Sequence, residues 1–259
     1  MTTLSLRTGA TEGTVDLEGG RLASLKVHGH ELLVTEGTKP SRYGSFPMTP
    51  WCGRLAHGRL TFGGTTHELP LTSPPHANHG RGYLQTWTEV GPGVIRTDLG
   101  PPWPFGGHVI QRFELGETSL TTTLEVHADA EPMPAMAGWH PWFRRQLDVG
   151  EPARLTFAAT SIYETDEHQI PTGRLLPAPA PPWDECFVDV TEGPAITWPG
   201  ALRLAFGSTF DHWVVFTQPD HALCVEPQSG PPNQVNRDPL LARPGEPLVG
   251  KMTWTWSPA

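Results

Sequence analysis

The clearest local pattern in the chain is the strict alternation of residues 120–127, which read LTTTLEVH. The side chains of successive strand residues point to opposite faces, so this segment has an apolar face and a polar face. Residues 251–257, KMTWTWS, repeat the pattern with Met252, Trp254 and Trp256 in line. The alternation predicts antiparallel strands that are buried on one side, with Trp254 and Trp256 in the core.

Period-two runs recur along the chain, and no long segment has a helical period. The 28 glycines and 29 prolines separate short apolar runs, as is typical of many strands joined by tight turns. We therefore expect an all-β fold, a large antiparallel β-sandwich, with residues 1–259 forming one domain. One short helix is predicted at 239–242, before Pro244-Gly245. Further strands are predicted at 21–27, 84–90, 93–99, 108–115, 154–159, 201–206, 212–217 and 222–226.

Composition narrows the classes of function. The net charge of -9 would repel phosphate backbones, so nucleic acid is not an expected partner. The start of the chain, MTTLSLRTGATEG, lacks a signal-peptide pattern, and no apolar run approaches the roughly 18 residues of a membrane helix. A cytoplasmic protein without membrane contact is expected. Cys52, Cys186 and Cys224 are odd in number and far apart, which argues against a disulfide framework and a cysteine-built zinc site.

Two residues combine acid–base chemistry with a rigid setting. His140 lies between Trp139 and Trp142 and is followed by a proline, which presents the imidazole beside flat aromatic surfaces on which sugars stack. Glu226 ends an apolar strand, where partial desolvation would raise its pKa toward that of a useful base. Taken alone, each segment fits a plain structural role equally well, as a core histidine and a solvated strand-end glutamate.

Five segments with polar or catalytically capable residues stand in order along the chain: YGSFPMTPWCGRL at 43–55, His79-Gly80, WHPWF at 139–143, WDECF at 183–187 and VEPQSGPPN at 225–233. Together they resemble motifs of galactose mutarotase-like proteins, the aldose 1-epimerase family. The chain departs from the family pattern at Gly53, where asparagine is frequent, at Trp142 in place of tyrosine, and at Ser229 in place of threonine.

This resemblance implies a β-supersandwich and an isomerase that interconverts the anomers of a free sugar without a cofactor or a metal. It assigns Glu226 as the base that deprotonates the C1 hydroxyl and His140 as the acid that protonates the ring oxygen. His79 is a further catalytic candidate that hydrogen-bonds the ring oxygen or a neighbouring hydroxyl, and the choice of acid between the two histidines stays open. Arg54 and Asp184 would bind sugar hydroxyls as donor and acceptor. The expected partner is a small sugar, with the chain a monomer or homodimer.

Three alternatives stay open from the sequence. A hexose-6-phosphate 1-epimerase of the same superfamily would need cations for the phosphate, and Arg81, Arg144 and Arg145 flank the two histidine motifs. A non-catalytic sugar-binding module would keep the pocket without using the acid–base pair. A glycosidase or lyase would pair Asp184 with Glu226 and leave the histidines without a role.

Overall fold

The computed structural model describes residues 2–259 and contains 23 strands and three 3₁₀ turns, with no α-helix in that range. The all-β prediction is confirmed. Within residues 2–259, no helix has the length and apolarity needed to cross a membrane.

The 3₁₀ turns are Ala56–Gly58, Gly82–Leu84 and Gln234–Asn236. The strands are β1 Thr3–Thr8, β2 Thr11–Asp16, β3 Arg21–Val27, β4 His30–Glu31, β5 Ser45–Met48, β6 Arg54–Leu55, β7 Arg59–Phe62, β8 Thr65–Glu68, β9 Ala77–Asn78, β10 Thr88–Gly91, β11 Val94–Asp98, β12 His108–Leu115, β13 Ser119–His127, β14 Met133–Ala135, β15 Gly138–Arg144, β16 Arg154–Thr165, β17 Pro171–Pro177, β18 Asp184–Trp198, β19 Leu202–Ser208, β20 His212–Phe216, β21 Ala222–Gln228, β22 Leu240–Ala242 and β23 Leu248–Pro258.

Seventeen of these strands are joined by hydrogen bonds into one sheet with two branches that share β18. One branch runs β1–β2–β3–β5–β15–β21–β20–β18, and β16 and β17 continue beyond it. The other runs β10–β11–β12–β13–β23–β19–β18. Every pairing is antiparallel. The start of β18 pairs with β20 and its end with β19, so this 15-residue strand passes from one branch to the other.

The two branches face each other as layers, and aromatic side chains fill the space between them. The Phe143 ring of β15 lies 4.9 Å from the Trp254 ring of β23 and 5.4 Å from the Phe206 ring of β19. Trp139, also on β15, donates its indole N–H to the side-chain oxygen of Gln111 on β12 at 2.9 Å. These contacts form a sandwich core, and the prediction that Trp254 and Trp256 are core residues is confirmed, with exposures of 0% and 2%.

Two local predictions were wrong. Residues 240–242 form strand β22, which pairs with β14, so there is no helix at 239–242. The alternative pairing is favoured because Ala242 is buried opposite Met133, a long-range contact that the short local pattern does not encode. The strand predicted at 84–90 forms only over Thr88–Gly91, since the turn Gly82–Leu84 occupies its beginning.

Replacing Trp254 with alanine should reduce the free energy of unfolding by about 3–5 kcal/mol, because it leaves a large cavity between the two layers. Val249 is on the same strand but is 49% exposed, so Val249→Ala is a matched control and should change stability by less than about 1 kcal/mol. Urea denaturation followed by tryptophan fluorescence measures both. Equal losses in the two variants would contradict this account of the core.

Candidate active site

Alternation along β15 and β21 separates the core from the site. On β15, Trp139 and Phe143 point into the sandwich core, whereas His140 and Trp142 occupy the opposite face, which borders a cavity. On β21, Glu226 likewise lies on the cavity face. Alternate residues of the motif around His140 therefore face the core and the cavity, since a strand presents successive side chains to opposite faces.

The antiparallel register of β15 against β21 places the two predicted catalytic residues opposite each other. Gly138 pairs with Gln228 and Trp142 with Cys224, which aligns His140 with Glu226 midway between them. The His140 Nε2 lies 3.2 Å from Glu226 Oε1, and their side chains are only 8% and 3% exposed. Residues 86 positions apart in the chain thus form a buried acid–base pair.

Aromatic rings hold the His140 imidazole in place. Phe46, its partner on β5, stacks on the imidazole with ring centroids 4.9 Å apart. The Trp142 ring also stacks on it, with centroids 5.2 Å apart and an interplanar angle of 7°. The His79 ring contacts it edge-on at 5.1 Å. This packing restricts rotation of the imidazole, so its Nε2 stays directed at the Glu226 carboxylate.

His79 is brought to the site by a short loop that is hydrogen-bonded to the first motif. The His79 N–H donates to the Gly53 carbonyl at 2.9 Å, and Arg54 pairs with Asn78 between β6 and β9. The backbone of His79 has φ 60°, a left-handed conformation that is unfavourable for a histidine and is often found at functional positions.

Close backbone packing explains one departure from the family pattern. Gly53 has φ 61°, and a Cβ at this position would lie 2.7 Å from Pro232 Cγ, so any larger residue would clash with the Glu226 motif. Ser229, the other small departure, accepts a hydrogen bond from the Ala137 N–H at 3.0 Å. Ser229 thus supplies the hydroxyl that joins the motif of Glu226 to the start of β15.

All five predicted site residues line one cavity of about 410 Å³, a volume in the range of small-molecule sites. His140 and Glu226 are buried at its floor, His79 and Arg54 are partly exposed, and Asp184 lies exposed at its rim. The structure therefore brings together every residue that the motifs selected.

Buried polar atoms of the cavity-lining residues have no hydrogen-bond partner within residues 2–259. They are the indole N–H of Trp142, the side-chain oxygens of Asn78 and Gln228, and Nδ1 of His140. Unsatisfied buried polar groups are rare in folded proteins, and they call for a ligand or solvent partner. Donors and acceptors mixed in this way suit a ligand rich in hydroxyl groups.

Burial changes the proton affinities of the central pair. It raises the pKa of Glu226 well above the ordinary value of 4.5, and the nearby Asp184 carboxylate reinforces this while the Arg54 guanidinium opposes it. Burial also lowers the pKa of His140 well below 6.5. The pair therefore favours a carboxylic acid beside a neutral imidazole over an ion pair.

His79 differs from His140 in its surroundings. Burial, with a smaller effect from the Arg54 and Arg42 guanidiniums, lowers the pKa of His79 to about 3. Its Nδ1 lies 2.9 Å from the Met48 sulfur, which can only accept a hydrogen bond, so Nδ1 carries the ring proton and Nε2 is an acceptor. With no carboxylate beside it, His79 is suited to accept a hydrogen bond near neutral pH rather than to donate a proton.

Sequence reasoning missed two cations at the cavity. Lys39 and Arg42 lie on the loop between β4 and β5 and line the cavity rim. The Arg42 guanidinium lies 5.4 Å from the centroid of the Trp142 ring. Their loop has no recognisable motif, and its fold depends on a distant buried residue, Arg21, which hydrogen-bonds the carbonyls of Pro40 and Tyr43.

The three arginines that flank the histidine motifs are outside the cavity wall. Arg144 donates from Nε to the Leu33 carbonyl at 2.8 Å, and Arg145 donates to the carbonyls of Pro219 and Thr217. Arg144 and Arg145 therefore tie β15 to neighbouring segments. Arg81 immediately follows Gly80 but does not reach the cavity either.

Comparison with known proteins agrees with the motifs. A family model described as aldose 1-epimerase matches residues 2–230. This chain belongs to the aldose 1-epimerase family. Among curated proteins, the uncharacterized protein YphB of Escherichia coli (strain K12) is 32% identical to this chain over 104 residues. The match spans 38% of this chain and only 36% of YphB.

Solved structures share the aldose 1-epimerase family fold over nearly the whole chain. An Escherichia coli K12 protein designated a candidate aldose 1-epimerase has a TM-score of 0.84 at 21% identity, covering 100% of this chain and 99% of its own. A galactose mutarotase-like protein from Clostridium acetobutylicum has a TM-score of 0.84 at 17% identity, covering 98% of this chain and 95% of its own. Galactose 1-epimerase from Lactobacillus acidophilus NCFM has a TM-score of 0.76 at 16% identity, covering 98% of this chain and 93% of its own.

Glu226→Gln should raise the free energy of unfolding at pH 7.5 by about 1–3 kcal/mol, because the buried carboxyl must bind a proton at a pH where the unfolded chain is ionised, whereas the amide is neutral at every pH. Because the folded-state pKa is raised, the unfolded chain ionises first as pH rises through 4.5, and stability is lost from there up to the folded pKa. The gain should therefore disappear near pH 4. Urea denaturation at the two pH values measures it.

Glu125→Gln is the matched control, and it should change the free energy of unfolding at pH 7.5 in the opposite direction. Partial burial raises the pKa of Glu125, but hydrogen bonds from Arg112 and His127 outweigh that effect and lower it overall. This carboxylate adds stability above the unfolded pKa, so its replacement should be destabilising at pH 7.5. A Glu226→Gln variant that is less stable than the native protein at pH 7.5 would contradict the raised pKa.

Proposed function

We propose that this protein is an aldose 1-epimerase that interconverts the α and β anomers of a free aldose, with Glu226 as the base and His140 as the acid. The observation that carries the proposal is the 3.2 Å contact between His140 Nε2 and Glu226 Oε1 at the floor of the cavity. A proton acceptor and a proton donor side by side are what ring opening of a cyclic hemiacetal requires.

Ring opening begins with the sugar C1 hydroxyl at Glu226 and the ring oxygen at His140. The carboxylate takes the hydroxyl proton while the imidazolium gives its proton to the ring oxygen, and the bond between C1 and the ring oxygen breaks. The product is an open-chain aldehyde with a free hydroxyl. After rotation about the C1–C2 bond, the hydroxyl attacks the other face of the aldehyde, and both protons return to their starting groups.

The preferred protonation of the pair corresponds to one stage of this cycle. A carboxylic acid beside a neutral imidazole is the state of Glu226 and His140 after ring opening, and the ion pair is the state before it. Both states carry the same number of protons. Burial disfavours the ion pair, so the protein lowers the free energy of the ring-opened complex relative to the cyclic one.

The remaining cavity groups are assigned to the sugar hydroxyls. Arg54 donates, Asp184 at the rim accepts, and the acceptor nitrogen of His79 takes a hydrogen bond from a hydroxyl near the ring oxygen. The buried Trp142 ring stacks on the His140 imidazole and holds it in place rather than contacting the sugar with an open face. This division leaves His140 as the acid and His79 as a binding residue that orients the sugar.

The same geometry favours an epimerase over two alternatives. A binding module has no need for a buried carboxylate and imidazole, which cost stability, whereas acid–base catalysis uses both. A glycosidase would pair Glu226 with Asp184, yet Asp184 is exposed at the rim and His140 is the group in contact with Glu226. Binding of a sugar in calorimetry with mutarotation at the buffer rate would favour the module.

Glu226→Gln should abolish catalysed mutarotation while the fold is kept, because the amide has nearly the same shape but takes no proton. His140→Asn should reduce kcat by about 10²-fold or more, the usual contribution of a general acid. Polarimetry of freshly dissolved α-glucose and α-galactose measures both rates above the buffer rate. Glu125→Gln, a carboxylate outside the cavity, is the control and should keep the native kcat.

A native rate in Glu226→Gln would overturn the assignment of the base. If His140→Asn loses much less than the expected factor, the acid role passes to His79, and His79→Asn should then show the larger loss.

An anionic sugar is a second candidate substrate, and Lys39 and Arg42 at the rim favour it. Neither side chain forms an ion pair or a side-chain hydrogen bond within residues 2–259, and both face the cavity of a protein with a net charge of -9. The buried Arg21 anchors the backbone of their loop, which places both exposed side chains at the cavity rim. Cations placed in this way suit a phosphate on the sugar.

If the substrate is phosphorylated, Arg42→Ala should lower kcat/KM for glucose 6-phosphate about 10-fold or more and change kcat/KM for glucose by less than about 2-fold, because it removes a charge-assisted hydrogen bond. Arg7→Ala, an exposed arginine on β1, is the control. A native enzyme that prefers glucose, with equal effects of Arg42→Ala on both sugars, would restrict the substrate to neutral aldoses.

A further inference from the structure

The three cysteines, which are far apart in the sequence, are all buried and all lie within electrostatic range of Glu226. Burial, and to a lesser extent the Glu226 carboxylate, raises the pKa of each thiol above its ordinary value of 9.0. Cys52 directs its thiol at the Met48 carbonyl at 3.6 Å, and Cys186 receives a contact from the Gln228 amide at 3.7 Å. Within residues 2–259, Cys224 has no such partner.

Cys224 also completes a set of metal-ligand atoms. It precedes Glu226 by two residues on the same face of β21, and it is paired across the sheet with Trp142, two residues from His140. One ligand atom each from His140, Cys224 and Glu226 all lie within 4.8 Å of one another, and all three residues are buried. Nitrogen, thiolate sulfur and carboxylate oxygen are the three ligand types of zinc sites.

A divalent cation would resolve the electrostatic problem of this site. Cys224 and Glu226 are held neutral because their anions would be buried without compensating hydrogen bonds or charge. Thiolate, carboxylate and neutral imidazole around a dication give a site of zero net charge, and the thiol and carboxyl protons that the cation displaces are released to the solvent. The other charged groups that act on Cys224 and Glu226 are Asp184, Arg42, Arg54 and Arg145. The first three line the cavity wall, and Arg145 lies outside it.

We propose that His140, Cys224 and Glu226 form a binding site for a thiophilic divalent cation such as zinc, which inhibits the enzyme by occupying its acid–base pair. Three protein ligands leave the fourth tetrahedral position open toward the cavity. The usual bond lengths place the ligand atoms of tetrahedral zinc about 3.3–3.6 Å apart. The imidazole and the carboxylate, at 3.2 Å, are already near this separation, and the thiol, within 4.8 Å of both, approaches by up to about 1 Å through side-chain rotation. Binding of the metal does not depend on the proposed epimerase function, whereas the inhibition rests on it.

Isothermal titration of the EDTA-treated protein with zinc chloride tests the site without any sugar. One zinc ion per chain is expected, and Cys224→Ser and Glu226→Gln should each weaken binding at least about 10-fold. Cys52→Ser, an equally buried cysteine outside the cluster, should bind as the native protein does. Cobalt added in place of zinc should give sulfur-to-cobalt charge-transfer absorption in the native protein and in Cys52→Ser, but none in Cys224→Ser.

Circular dichroism of each variant confirms that it is folded before titration. Absence of stoichiometric binding, or equal zinc affinity in Cys224→Ser and the native protein, would overturn the site.

The inhibition is measured by polarimetry with one equivalent of zinc. Mutarotation should fall to the buffer rate and return when EDTA is added, and saturating sugar should weaken zinc binding because both occupy the pair. An active enzyme that is unaffected by stoichiometric zinc would overturn the inhibitory site. A protein that binds zinc as expected but shows no mutarotation in the metal-free state would overturn the epimerase function and leave the metal site in place.

Discussion

His140 and Glu226 face each other because β15 and β21 are antiparallel neighbours in one fixed register. A shift of either strand by one residue would turn its catalytic side chain into the sandwich core and bring a tryptophan or a valine to the cavity. The register is held from both sides of the strands. Trp139 and Phe143 anchor β15 to the opposite layer, and the Ser229 hydroxyl joins the end of β21 to the start of β15. The large hydrophobic core is therefore what positions the acid–base pair.

Burial of His140 and Glu226 lowers the stability of the fold, and under the proposed function it also assists catalysis. In water a glutamate and a histidine would ionise independently, whereas here the low-dielectric surroundings favour the neutral state of both. The free energy that the fold loses at Glu226 is recovered in catalysis if ring opening moves the pair from charged to neutral. The stacked rings of Phe46 and Trp142 exclude water from the imidazole and contribute to this environment. The same desolvated groups, with the Cys224 thiol beside them, are what a soft dication would bind.

The floor and the rim of the cavity are built from different parts of the chain. His140 and Glu226 lie at the floor, where close backbone contacts among the motifs, such as the approach of Gly53 to Pro232, leave little room for larger side chains. The rim is formed by separate segments, with Lys39 and Arg42 on the loop between β4 and β5 and Asp184 at the start of β18. Lys39 and Arg42 lie outside the family motifs, so the motifs alone do not specify which sugar the cavity would accept.

The sequence by itself determined the strand character of the chain and the identity of the five motif residues, because both are encoded locally, in alternation and in short ordered segments. It misjudged 239–242, where a long-range pairing of Ala242 with Met133 outweighs the local pattern. It also offered Arg81, Arg144 and Arg145 as candidate phosphate ligands for the alternative substrate, although none of them lines the cavity and backbone carbonyls engage the last two. Only the tertiary structure decided that Lys39 and Arg42 reach the cavity and that ligand atoms of His140, Cys224 and Glu226 lie within 4.8 Å of one another. Those arrangements depend on strand register and loop anchoring between residues far apart in the chain, which no local pattern records.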